Sequence, residues 1–117
     1  MTDEEYIRKA AELVGWGYTR PMHSADTPYL FIPSGPTIGK RTDQHTLDAL
    51  AAELVRQVDA LETHRVESHA ASVMVYETHY PVNHAIAVRH GPDRPMNAIK
   101  AIVDSKVLEC KSTSTTT

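Results

Sequence analysis

The chain has 117 residues, 41% hydrophobic and 23% charged, with a formal net charge of −3. That length suits one domain able to bury roughly two-thirds of its unfolded surface, and the mildly acidic balance argues against nucleic acid, which calls for a basic field. The single Cys110 excludes an internal disulfide and a cysteine-based zinc site; no apolar run approaches the roughly 20 residues that cross a bilayer, and no leader pattern opens the chain, so a cytoplasmic protein without a membrane partner is expected.

In chain order, Thr2-Asp3-Glu4-Glu5 reads as a capping box. Ile7, Ala10, Ala11 and Val14 then recur at helical spacing, and Gly15 is a natural stop. Trp16 and Tyr18 begin a short extended piece, 20–28 reads as a loop or strand turn, and Tyr29–Ile32 as a short strand between Pro28 and Pro33. Ser34–Thr42 reads as a glycine-containing loop leading into the strongest helix. In that helix Leu47, Leu50, Leu54, Val58 and Leu61 make one apolar stripe from Asp43 to about Glu62, capped by Asp43 or Thr42.

Arg65–His69 is a weak edge-strand candidate. Ser72–His79 and Asn83–His90 are stronger, joined by a turn at Tyr80-Pro81-Val82. Strict alternation puts Ile86 and Val88 on one face with His84 and His90, and Ala85, Ala87 and Arg89 on the other. Small alanines there imply close packing by a helix or another subunit. A last helix runs from Asp93 to Leu108, with Pro95 in its first turn and Met96, Ile99, Ile102, Val103 and Val107 inward. The fold class is α+β, an antiparallel sheet packed with amphipathic helices in the order α-β-β-α-β-β-α, with room for one more strand. It occupies residues 1–110, and the polar tail 111–117 is expected to be disordered.

Ser34–Thr42 is the segment richest in chemical suggestion. A phosphate loop reads G-x-x-x-x-G-K-[ST] between a strand and a helix. Here Ser34 holds the first position, the next glycine is one residue late, and Arg41 replaces the magnesium-holding hydroxyl. A nucleotide hydrolase also needs a metal-holding carboxylate on another strand, so that reading is rejected. Two others stay open: an anion cradle of Lys40, Arg41 and Thr42 at a helix start, and a plain connection with solvated charges. Arg89, Arg94 and Asn97 form a second candidate anion set around the Asp93 cap, with surface charges and a polar helix residue as the alternative.

Five of the seven histidines fall within 64–90 (His64, His69, His79, His84, His90). None has the tight local spacing of zinc ligands, so surface or half-buried histidines are expected, with no metal and no cofactor. No nucleophile elbow or paired histidine phosphoesterase motif is present. Cys110, beside the polar tail, is a poor nucleophile. No catalytic residue is assigned.

Ala11-Glu12-Leu13-Val14-Gly15-Trp16, a proline-rich hairpin, Thr42-Asp43 opening the helix with Leu47-Asp48-Ala49-Leu50-Ala51-Ala52, then a hairpin and a final helix together resemble small phage proteins with the ABA-sandwich domain. The likeness spans 1–108. Similar small phage proteins include the Thoeris anti-defence sponges, which bind cyclic ADP-ribose-type immune signals without cleaving them. The resemblance implies a non-enzymatic homo-oligomer, in a host cytoplasm, that sequesters a small nucleotide between subunits. No ligand motif of the group matches residue by residue, so it assigns no site residue. The competing expectations are a protein–protein interaction module acting through Asp3, Glu4, Glu5 and Glu12, and a small enzyme using the histidine cluster.

Overall fold

The computed structural model describes residues 1–19, 27–33, 35–79 and 82–109. The expected turn at 80–81, most of the loop 20–28, Ser34, Cys110 and the tail 111–117 lie outside these residues. The elements are α1 (Asp3–Val14), β1 (Gly17–Tyr18), β2 (Tyr29–Phe31), β3 (Thr37–Lys40), α2 (Gln44–Asp59), β4 (His64–His69), β5 (Ser72–His79), β6 (Val82–His90) and α3 (Arg94–Ser105). Residues 107–109 add a further helical turn.

The class is α+β, and the order differs from expectation. Among the described residues there are two three-stranded antiparallel sheets, β1-β2-β3 and β4-β5-β6. Two strands are added to the expected order: β4, at the edge candidate 65–69, and β3, inside the segment read as a loop. Thr37, Gly39 and Lys40 pair back onto β2, and Ile38 is the extra residue where the register shifts between Leu30 and Phe31. Gly39 sits at φ 154°, and a side chain there would come within 2.4 Å of Thr46 Oγ1. This glycine therefore lets β3 pass tightly over the first turn of α2, where His45 Nε2 donates to the Ile38 carbonyl at 3.2 Å.

The helices form as their spacing dictates. Thr2 Oγ1 accepts from the Glu5 amide at 3.2 Å, and Gly15 ends α1 in the left-handed region at φ 80°. Leu47, Leu50, Leu54 and Val58 of α2 are buried, as are Met96, Ile99, Ile102 and Val103 of α3. α1 packs on β1, α2 on both β3 and β4, and α3 on β5 and β6 as well as on the other two helices. The core is thus the shared interior of the three helices, closed by Leu30 from one sheet and by Val73 and Val75 from the other.

In the larger sheet the alternation expected of β6 is interrupted. Val75 pairs with Ala87 but Tyr76 pairs with Ala85, so Ile86 is the extra residue of a bulge. The bulge corrects the face assignment. Ala87 and Arg89 face the helices as expected, whereas Ala85 stands opposite Tyr76 and His84 opposite Glu77, each on the face contrary to strict alternation. The outer face carries Met74, Tyr76, Ile86 and Val88, the last two 39% and 38% exposed.

Candidate functional site

The starts of α2 and α3 lie together. Gln44 and Asp48 from α2, with Pro92, Asp93, Arg94 and Pro95 from the approach to α3, line an open groove of about 500 Å³. Local chemistry fixes both walls. Pro95 occupies the first turn of α3, where its missing N–H costs nothing, and Asp93 Oδ1 caps the helix by accepting from the Met96 amide at 3.3 Å. Asp43 occupies the same position before α2 but gives that helix no side-chain cap. Its Oδ2 instead accepts from the Lys40 amide, three residues back, at 3.3 Å. One helix start in the groove is therefore capped by a carboxylate, and the other has no side-chain cap among the described residues.

The expected anion residues have different fates. Arg94 lines the groove and is exposed. Lys40 ends β3 and Thr42 lies in the following turn, both exposed. Arg41 turns away toward α1: its Nη2 lies 3.7 Å from Glu4 Oε2, and its amide donates to the Pro28 carbonyl at 3.0 Å. The buried Arg41 Nε has no hydrogen-bond partner among the described residues. Glu4 Oε1 also accepts from the Tyr18 hydroxyl at 3.4 Å. Burial, chiefly, pushes the Tyr18 phenol up, while the Arg41 charge pulls it down.

Arg89 and Asn97 serve the frame. Asn97 is buried, and its Nδ2 donates to the Gly91 carbonyl at 2.8 Å, fixing the turn between β6 and α3. Arg89 Nε donates to Asp104 Oδ2 at 2.8 Å, and its Nη2 donates to the Tyr6 hydroxyl at 2.6 Å. That hydroxyl in turn donates to Asp104 Oδ1 at 2.7 Å. The hydrogen bond to Asp104, reinforced by burial, raises the Tyr6 phenol above its usual range. The same carboxylate holds the Arg89 guanidinium more firmly protonated. This three-way clamp ties α1, β6 and α3 together.

Spacing along the chain could not reveal that Gln44 and Asp48 line one groove with Arg94, because α2 and α3 meet only through tertiary packing. The paired helix starts, each preceded by an aspartate, were the available signal. His64 and His69 lie on β4 and His84 and His90 on β6. Among the described residues no group of three or more His, Cys, Asp or Glu side chains is placed to hold a metal ion. No described helix is long and apolar enough to cross a membrane.

Charge arithmetic narrows what the groove could hold. Two helix N-termini contribute roughly half a positive charge each, and Arg94 adds one. Asp48 and Asp93 offset all of it. A bare anion gains little in such a groove, whereas a ligand presenting phosphate and N–H or O–H donors together finds partners for both. No protein-family model matches the chain, and comparison with curated proteins and with solved structures gives no match.

Proposed function

We propose that this protein binds a small nucleotide-type ligand in the groove between the starts of α2 and α3, and sequesters it without turning it over. The observation that carries this reading is the meeting of the α2 start, which lacks a side-chain cap, with Arg94 and the Asp48 and Asp93 carboxylates. Phosphate would accept from the first-turn amides of α2 and from Arg94. Ribose hydroxyls or base amines would donate to Asp48 and to the free oxygen of Asp93. The resemblance to small phage ABA-sandwich proteins supplies the setting, an accessory protein that withholds an immune signal in the host cytoplasm.

A thermal-shift series with cyclic ADP-ribose, cyclic dinucleotides and inorganic phosphate tests the reading. A ligand that binds only the folded state raises the melting temperature by mass action. The expected result is a rise with a cyclic nucleotide, a smaller one with phosphate, and loss of both in Arg94→Ala. No rise with any nucleotide at millimolar concentration sinks the proposal.

A second reading has its own observation. The outer face of the larger sheet exposes Ile86 and Val88 beside half-buried Met74 and Tyr76, which suits a protein–protein interaction module. The acidic residues of α1 favour it less, since Asp3 is paired with Lys100 at 2.7 Å and Glu4 with Arg41 and Tyr18.

A further inference from the structure

The two edges of the larger sheet are built differently. β6 carries the bulge at Ile86, a common guard against pairing with another chain. β4 carries none: its register against β5 runs without a shift from His64↔Glu77 to His69↔Ser72, and its six residues include no proline or lysine. Among the described residues no strand pairs with its other side.

The direction of its free groups follows from one bond. The Thr78 amide donates to the Thr63 carbonyl at 2.8 Å, so Thr63, Arg65, Glu67 and His69 turn their backbone groups toward β5. The alternation of an antiparallel ladder then points the N–H and C=O of His64, Val66 and Ser68 outward. On the outer face Arg65 and Glu67 stand two residues apart, their side chains 2.9 Å from each other and 49% and 36% exposed. The Arg65 guanidinium lies over the Tyr76 ring, 5.6 Å from its centre.

We propose that β4 is the contact edge of a homodimer, pairing antiparallel with β4 of a second copy about a two-fold axis at Val66. This registration sets Arg65 of each copy directly opposite Glu67 of the other, and His64 opposite Ser68. Val66 meets its own counterpart through two backbone hydrogen bonds. Because the outward groups belong to the even-numbered residues, each Arg65–Glu67 pair falls in the non-hydrogen-bonded class, where side chains sit closest. A charge of one sign would guard such an edge by repelling a second copy. Opposite charges placed symmetrically about Val66 are self-complementary, as an isologous interface requires. The product is a continuous six-stranded sheet with the helices of both copies on one face. A six-residue edge spans about 20 Å, which is small against a standard interface, so the dimer forms in a concentration-dependent way.

Sedimentation velocity from low micromolar to millimolar protein tests it. The natural protein should move from the 13.0 kDa monomer toward twice that mass. Arg65→Glu and Glu67→Arg, each placing like charges across the axis twice, should weaken the dimer about tenfold or more, and the double reversal should restore it. Hydrogen exchange supplies an independent readout in the unmodified protein. The amides of His64, Val66 and Ser68 should gain protection as concentration rises, while those along β6 do not. A monomer throughout the range, single reversals that leave the dimer intact, a double reversal that fails to restore it, or concentration-independent exchange at His64, Val66 and Ser68 would each overturn the proposal.

Discussion

The two sheets share one plan, an antiparallel meander of three strands, and differ in what holds them. In the larger, strands of six, eight and nine residues make a long ladder, with Val73 and Val75 of β5 buried on the side that α3 covers. The smaller has strands of two, three and four residues. It relies on Leu30 and on close approaches at two glycines. Gly39 lies against α2, and at Gly17 a side chain would meet the Phe31 ring within 2.1 Å. A ladder of many modest contacts tolerates the loss of one. A short sheet fixed by single points does not.

The largest expected effect joins the sheets. Leu54 is fully buried on α2, the helix that touches both, and Leu54→Ala should cost about 2–5 kcal/mol through the cavity it leaves. Chemical denaturation should show both sheets lost in one transition; two transitions would mean that they unfold separately. Gly39→Ala separates them. It combines unfavourable backbone geometry with the clash against Thr46 and His45, for about 2 kcal/mol, and hydrogen exchange should accelerate at β2 and β3 while β4–β6 keep their protection. Equal acceleration everywhere would erase the distinction between the sheets.

Tyr6→Phe removes the hydroxyl shared by Asp104 and Arg89 and should cost about 1–2 kcal/mol, read as a lower denaturation midpoint. The pH dependence has a definite sign. With its folded value raised, Tyr6 contributes stability that is fully present below the ordinary tyrosine value of about 10 and is lost as pH rises through the higher folded value. Melting curves of Tyr6→Phe should therefore fall less steeply above that range than those of the natural protein. Arg94→Ala, on an exposed side chain, should change stability by less than about 0.5 kcal/mol, so its effect on nucleotide binding can be read cleanly.

The same contrast governs how much the sequence disclosed. α2 and α3 were legible because four or five apolar residues repeat at helical spacing, and β5 and β6 because each runs for eight or nine residues of strand-forming composition. β3 was hidden. Its four residues include Gly39 and Lys40, which suggest a phosphate loop as readily as a strand, and its reason to exist is the close crossing over Thr46. The bulge at Ile86 was hidden too, since nothing in His84-Ala85-Ile86-Ala87 marks where alternation fails. For the candidate site, the helix starts and Arg94 could be named in advance. Arg89 and Asn97 could be named but not placed, because their partners Tyr6, Asp104 and Gly91 belong to contacts that only the fold creates.

α3 ends at Lys106, which holds φ 59° and lets Val107 and Leu108 turn back into the core. A lysine in that conformation bears a steric penalty that glycine escapes. Lys106→Gly should accordingly raise the melting temperature slightly, by the equivalent of about 0.5 kcal/mol. The turn that returns the chain to its own interior is thus a place where the natural sequence sits short of its optimum, and where a stabler descendant is one substitution away.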